Sequence, residues 1–429
     1  MTRFLYNLLF PIVFMLYLPG LVVKYIRRGG AKDGYGERFG IFSSEKRKRL
    51  SELRSPVWMH AVSVGETVVA VSMLKKWLEK SPGKEFVLST TTTTGQAIAR
   101  AHAPEGVSVI FCPIDFFLFT NRALRLVDPS LLLIFETELW PNLIRGAVNG
   151  GAEVALVNAR MSDRSSRGYK RFSMFTAPIL RGLSLVCAQS GLDAERFKAV
   201  EPSLEPVVTG NMKFDQAPEK DAAEFPDLGL DAVFGTSRRT VVLAASTHPG
   251  EEKLVAEIFA RLRKRRPELK LVIVPRHAER GGEVASDLAT TGLRVARRSV
   301  GDDAGGGADI LLADTTGEML AFINASDIVV MGKSFAGHDE GHNVIEPAAL
   351  GKPVVTGRVA RNFRQVLEIM TRENAVMAVD GGVGLEESLN ELLDDPEKRV
   401  ALGERAKTAV EKARGATDRT IELCEKLLS

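Results

Sequence analysis

Cysteine is nearly missing from this chain. Cys112, Cys187 and Cys424 are the only three in 429 residues; an odd number at wide separations excludes a disulfide framework, gives no zinc-ligand spacing and fits a reducing compartment. Histidine is almost as scarce, at six residues, and none stands in an HExxH pattern or a comparable ligand spacing, so nothing in the sequence requires a metal. A charge excess of one sign is lacking as well. Lysine and arginine number 57 against 54 acids, a net charge of +3, and nothing in that balance points to nucleic acid. No G-x-x-x-x-G-K-[ST] sequence occurs, and no G-x-G-x-x-G follows the first strand pattern, which excludes a Walker loop and a dinucleotide fingerprint.

Long apolar runs are absent except at the start. Phe4 to Val23 reads FLYNLLFPIVFMLYLPGLVV, with Asn7 as its only strongly polar member, and its length of about 20 residues is what a helix needs to cross a hydrocarbon core. Lys24, Arg27 and Arg28 follow directly, where a cleaved signal peptide would show a small-residue site. These cations favour the cytoplasmic side and place the rest of the chain there. Pro11 and Pro19-Gly20 interrupt a straight span, so residues 1–28 are read as a membrane anchor with a basic flank that either spans or lies in the interface. A buried N-terminal helix is the alternative.

At 45% hydrophobic content, 429 residues suffice for two ordinary domains. Short apolar, β-branched runs predict strands at 57–64, 85–90, 107–112, 131–136, 152–158, 183–189 and 206–209, separated by helical patterns such as 67–78 and 139–147. Nearly continuous apolar strands alternating with helices indicate a parallel sheet covered on both faces. After the polar stretch DQAPEKDAAEFPDLG the alternation restarts with TVVLAAST, LKLVIVPRH, LRVARR, DILLADT, DIVVMGKS and KPVVTG, with helices expected from Gly250, Gly317 and about Asn343. GDDAGGGAD reads as a surface loop, and the tail from Leu385 as helical. The domains are accordingly set at 29–213 and 214–429.

In open parallel sheets ligands bind beyond the carboxyl ends of the strands. Polar residues predicted there are His60, Glu66, Thr90–Thr94, Asp115, Glu136, Glu138, Asn158 and Arg160 in the first domain. In the second they are His248, Arg276, His277, Asp314–Glu318 and the segment GKSFAGHDEGHNVIEPAALG. Glycines 332, 337 and 341 would let backbone N–H groups approach an anion, Asn343 would open a helix toward a phosphate, and Glu346 could meet a ribose. The plainer reading makes Asn343 an N-cap and Glu346 a helix-dipole partner. Glu66 divides similarly between dipole stabilisation and proton removal from an acceptor hydroxyl. Glu136 ends the buried run LLLIFE and needs a partner or a function. Lys213 either faces an anion or pairs with Asp215.

Taken together and in order, GYGERFG, HAVSVGE, ETELWPNL, NARMSDRSSRGY, GNMKFD, AASTHPGEE, VPRHAER, DTTGEM and GHNVIEPAALGKPV resemble the 3-deoxy-D-manno-octulosonic acid (Kdo) transferases of lipopolysaccharide assembly, over nearly the whole chain. The resemblance implies an α/β GT-B glycosyltransferase: two Rossmann-like domains facing a central cleft, the first binding acceptor and the second CMP-Kdo, plus an N-terminal membrane-anchor helix. It implies inverting transfer of Kdo from CMP-Kdo to a lipid A precursor (lipid IVA), with no cofactor, no metal and no nucleic acid, at the cytoplasmic side of the inner membrane. By the same resemblance Glu66 is the base, Glu136 and Lys213 stabilise charge, and CMP is held by Pro275, Arg276, Gly317, Glu318, Met319, Asn343, Val344, Ile345 and Glu346. Two positions depart from the family pattern, Glu340 before Gly341 in place of a Gly-Gly pair and Pro249 in place of an acid. The rival readings are a GT-B-shaped nucleotide-sugar epimerase, which needs no lipid acceptor or anchor, and a membrane-tethered non-catalytic scaffold, which would have lost the acids and cations named above.

Overall fold

The computed structural model describes residues 34–218, 224–301 and 304–429, and within the N-terminal stretch residues 6–8, 10, 14–16 and 20. The expected anchor and its basic flank therefore lie largely outside the described residues, as do 219–223 of the polar stretch and Asp302-Asp303 of the glycine-rich loop. Among the described residues no helix is long and apolar enough to cross a membrane. Three N-terminal side chains meet the body of the chain. The Tyr6 hydroxyl donates to Asp115 Oδ2 at 2.9 Å, the side-chain amides of Asn7 and Asn142 pair at 3.1 and 2.9 Å, and the Phe10 ring stacks 6.2 Å from Phe116.

The chain divides into two compact units, one running to Gln216 and including Arg414–Ser429, the other Ala217–Ala413. In the first, β1 (Val57–Ala61), β2 (Phe86–Thr90), β3 (Ser108–Phe111), β4 (Leu131–Phe135), β5 (Glu153–Ala159), β6 (Leu185–Ala188) and β7 (Val207–Val208) fall inside the seven predicted runs, β5 reaching one residue further. They pair in parallel in the order β3-β2-β1-β4-β5-β6-β7. Every residue of β1 and β4 is buried, because helices cover both faces and each side chain meets a core. β1 and β4 are neighbours in space but not in sequence. That is the switch point at which an open sheet leaves a crevice for ligand, and Glu66 and Glu136 follow these two strands.

The final helix, Ala416–Leu428, corrects the predicted boundary, which gave residues 214–429 to the second domain. Ile421 and Cys424 pack into the cluster of Met59, Trp77, Cys187 and Met212, all in the first unit. Asp215 accepts from the amides of Gly415 and Thr417 at 2.6 Å each, so a carboxylate from the first unit caps the helix start. Lys76 and Lys80 pair with Asp418, and Trp77 Nε1 donates to Glu425.

The second unit repeats the plan. Its strands are β8 (Thr240–Thr247), β9 (Leu269–Pro275), β10 (Val295–Arg297), β11 (Ile310–Leu312), β12 (Ile328–Met331), β13 (Val354–Gly357) and β14 (Met377–Val379). They pair in parallel in the order β10-β11-β9-β8-β12-β13-β14. The switch point lies between β8 and β12. Strand β14, at the sheet edge, was not among the predicted runs: three half-buried residues give too short a pattern to separate from a loop.

Candidate functional site

Glu66 sits in the first turn of the helix Val64–Lys80, whose N-cap Ser63 accepts from the Glu66 amide at 3.2 Å. Its carboxylate reaches back to the Val62 amide at 2.9 Å, a variant of the reciprocal capping box. The helix-end role considered from the sequence is therefore present. It is not the whole account. Glu66 is 7% exposed, and burial raises its pKa against the lowering effect of the Val62 and Ser63 hydrogen bonds, with Glu136 adding to the rise. A carboxylate so placed is a better proton acceptor than one in water.

Glu136 directly follows β4 with φ 59°, a left-handed conformation that costs a side chain of this kind of order 1 kcal/mol or more. It is 4% exposed and ion-paired with Arg160 at 2.8 Å and Lys213 at 3.4 Å. The partner that a buried carboxylate requires is thus Lys213, together with Arg160, whose role the sequence left unassigned. Asp215, the alternative partner of Lys213, is instead taken by the final helix. Lys213 is positioned through its backbone. Asn211 Oδ1 accepts from the Lys213 amide at 3.0 Å, Asn158 Oδ1 from the Met212 amide at 3.1 Å, and Gln189 links the two asparagines. Asn158 itself has φ 49° at a register shift in β5, a bulge that turns its side chain toward this loop. Glu138 joins the acidic group, its pKa raised by burial and then by Glu66 and Glu136.

Other polar candidates of this unit are structural. His60 is fully buried, its Nδ1 within 2.9 Å of Ser89 Oγ, and burial pushes its pKa down to about 4, so it stays neutral. Asp115 accepts from the amides of Asn142 and Leu143 at 3.1 and 2.8 Å, at the start of the helix Pro141–Asn149. Thr92 caps the helix Thr93–His102 by accepting from the Gly95 amide at 3.0 Å.

In the second unit Pro275 ends β9 and Arg276 follows it, exposed. Its charge is felt at both His342 and Glu346, though in each it is a smaller influence than burial. The helix expected from Asn343 begins later and is short, Ile345–Ala349, with Val344 at its N-cap. Asn343 accepts from the Ile345 amide at 3.1 Å and donates to Glu346 Oε1 at 3.2 Å, so its side chain serves the turn and orients the acid rather than capping the helix. Burial raises the Glu346 pKa. The helix Met319–Asn324 packs against this one, bringing Gly317, Glu318 and Met319 to the same end of the sheet. Glu318, however, already binds Arg298 and Thr315. Of the three glycines, two answer to packing: a Cβ at Gly332 would stand 2.6 Å from Ser246 O, and one at Gly341 would stand 2.4 Å from Ala360 Cβ. Only at Gly337 is the space open.

Glu251 was not singled out from the sequence. It is 1% exposed and accepts four backbone amides, those of His248 and Lys333 on Oε2 at 2.9 and 2.7 Å and those of Ser334 and Phe335 on Oε1 at 2.9 Å each. It thereby ties the loop after β8 to the loop after β12 across the switch point. Lys333 and Ser246 both have positive φ, 61° and 55°, so backbone strain gathers at this switch point as at Glu136 in the first. The signal for Glu251 was its place at the start of a helix whose N-cap is Gly250, with no side chain of its own to satisfy the first amides. Among the described residues no group of His, Cys, Asp and Glu is arranged to hold a metal ion.

A model of the family described as 3-Deoxy-D-manno-octulosonic-acid transferase (kdotransferase) matches residues 33–216. The chain is similar to the 3-deoxy-D-manno-octulosonic acid transferase of Bordetella pertussis, 35% identical over 94% of this chain and 95% of that one. The enzyme of the same name from Haemophilus influenzae is 28% identical over 100% of this chain and 99% of its own. Among solved structures, a glycosyltransferase from Rickettsia africae superposes with a TM-score of 0.58 at 12% identity, over 88% of this chain and 99% of that one. That likeness shows the fold, two Rossmann-like units of GT-B type.

Proposed function

The chain belongs to the 3-deoxy-D-manno-octulosonic acid transferase family, and from that premise we propose that it moves Kdo from CMP-Kdo to a lipid A precursor with release of CMP. The observation that carries this reading is Glu66: a buried carboxylate with a raised pKa at the switch point of the first sheet, beside the Glu136–Lys213 pair. Glu66 takes the proton from the acceptor hydroxyl as that oxygen attacks the anomeric carbon, and CMP departs from the opposite face, inverting the centre. Lys213 and Arg160 pair with Glu136 and fix the local field, while Arg276, Asn343 and Glu346 receive the donor in the second unit. A monophosphate leaving group is light enough in charge for protein cations to stabilise it, so transfer is expected to proceed without a divalent ion. An epimerase reading uses the same fold but leaves unexplained why the related sequences are transferases.

The enzyme is placed at the cytoplasmic face of the inner membrane. Supporting this is an apolar cavity of about 320 Å³ lined by Tyr6, Pro141, Ile144, Phe175 and Ile179 together with Arg145 and Arg181. Phe172 and Met174 stand exposed at 57% and 59%, with the Arg171 guanidinium over the Phe172 ring. An apolar surface bearing arginines suits an anionic lipid. The deciding experiment is a transfer assay with the full chain, tetra-acylated lipid A precursor and CMP-Kdo generated in place, with and without EDTA, products resolved by mass. Kdo-bearing product formed equally under chelation is expected. No product from folded protein would overturn the donor or acceptor assignment, and product lost on chelation would overturn metal independence.

A further inference from the structure

The second unit gathers more positive charge at its switch point than its carboxylates answer. Four of the six histidines converge there. The His248 ring lies 5.2 Å from that of His342, 5.4 Å from His338 and 6.0 Å from His277, and His248 Nε2 stands 3.0 Å from His342 Nε2. Arg276 and Lys333 bear on the pair, and among the described residues neither side chain takes part in an ion pair or hydrogen bond. The nearby acids are otherwise engaged: Glu251 by four backbone amides, Glu252 by Arg280 and Thr247, and Glu346 by Asn343. Glu340 faces the cluster, bearing on both His342 and Lys333. Cations in excess of the carboxylates that face them, set around neutral rings, mark a place for an anion.

Two imidazole nitrogens at hydrogen-bond distance need one proton between them, one ring donating and the other accepting. Two neutral rings meet that need when one carries its hydrogen on Nε2 and the other on Nδ1. One added proton gives an imidazolium hydrogen-bonded to an imidazole, whereas a second would set two N–H groups against each other. The pair therefore titrates as a unit with room for one proton. Burial first, then Lys333, His338, His277 and Arg280, push His248 down to about 4. Burial, His248, Arg276 and Lys333 do the same to His342, with Glu340 opposing. Near neutral pH the pair in this field is uncharged, and an arriving anion reverses the field.

We propose that His248 and His342 form part of the donor phosphate site and together take up one proton when a phosphate monoester dianion binds beside them, Arg276 and Lys333. This rests on the reading that the second unit receives a CMP-linked donor. In transfer, the bond between anomeric carbon and phosphate oxygen breaks with its electron pair remaining on that oxygen, so the phosphate passes from one negative charge to two. The acceptor oxygen forms the new bond to carbon and its proton goes to Glu66. The proton on the histidine pair comes from solvent and returns there when CMP leaves. Its charge thus matches the leaving group better than the diester, which is what lowers a barrier rather than merely tightening binding.

The test is calorimetric titration of the full chain with CMP at about pH 7.5, where a phosphate monoester with a second pKa of about 6 is a dianion, in buffers of differing ionisation enthalpy. Uptake approaching one proton per CMP is expected. In His342→Asn and His248→Asn the uptake should vanish and CMP should bind roughly tenfold weaker, the loss of a hydrogen bond to a charged group. CMP binding without uptake, or uptake undiminished in folded variants, overturns the pair's role and leaves the donor reading intact. No CMP binding by the wild-type chain overturns both. Should the variants fail to fold, ring ¹⁵N shifts of the wild-type histidines decide: on CMP addition, a change that sums to one imidazole-to-imidazolium conversion, on one ring of the pair or shared between both, supports the proposal, and no change overturns it.

Discussion

Glu66 carries a structural bond and a raised pKa on the same carboxylate, and one substitution separates them. In Glu66→Gln the amide oxygen still accepts from Val62, so the helix start survives while the proton acceptor is lost. A raised folded pKa means that ionised Glu66 opposes folding above that pKa, since the unfolded chain ionises it more easily. The Gln variant should therefore melt at or above the wild-type temperature near neutral pH, while transfer falls by roughly 10² to 10⁴, the usual worth of a general base. A variant retaining wild-type transfer would remove Glu66 from the role of base. The same shift sets the pH profile. Activity needs the ionised form, so kcat/KM should decline as pH falls through an inflection above the ordinary glutamate value, and that limb should be absent from residual Glu66→Gln activity. At this scale much of the site was legible. An acid after Gly65 and another ending LLLIFE raised the right questions because charge is costly where sequence demands burial. Arg160 as partner of Glu136 was not legible, because pairing depends on which loops the sheet order brings side by side.

Elements were read well where their pattern is long and poorly where it is short. Buried parallel strands announce themselves as apolar runs, and all seven of the first sheet were found in the sequence. Strand β14 and the true start of the helix after Asn343 were missed, because three residues or one turn carry almost no periodicity. Glu251 shows what that blind spot hides. Its four amide partners come from two loops far apart in sequence, so no local motif reports the arrangement. Truncating it strands four amide donors, two of them fully buried, and removal of such a hub should cost about 3 kcal/mol or more. Glu251→Ala is expected to lose CMP binding and to show fast amide exchange at Lys333–Phe335 while the helix Val64–Lys80 of the other unit stays protected. Glu251→Gln, which keeps acceptor capacity on one oxygen alone, should fall between. Unchanged exchange at 333–335 in the Ala variant would mean that the loop is held by something else.

For the whole molecule, a net charge of +3 over 429 residues conceals the local surpluses that matter, since totals average over acids and bases that never meet. The sequence placed membrane contact in residues 4–23, yet the described structure offers a second candidate: exposed Phe172 and Met174, next to an apolar cavity whose lining includes Tyr6. Apolar side chains seated in lipid contribute roughly 1.5–3 kcal/mol each when fully buried, and two acting together would change partitioning by about tenfold even if buried only in part. The paired substitution Phe172→Ser with Met174→Ser removes that area without touching Glu66, Glu136, Lys213 or any residue of the second unit. Both positions are exposed, so thermal stability should hold within about 0.5 kcal/mol, and CMP affinity should not move. Flotation with vesicles containing anionic lipid should show about tenfold weaker association, and transfer to vesicle-embedded acceptor should fall with it while transfer to detergent-dispersed acceptor is retained. Unaltered flotation would assign membrane contact to the N-terminal stretch alone, with the arginine-bearing surface left as ordinary exposed structure.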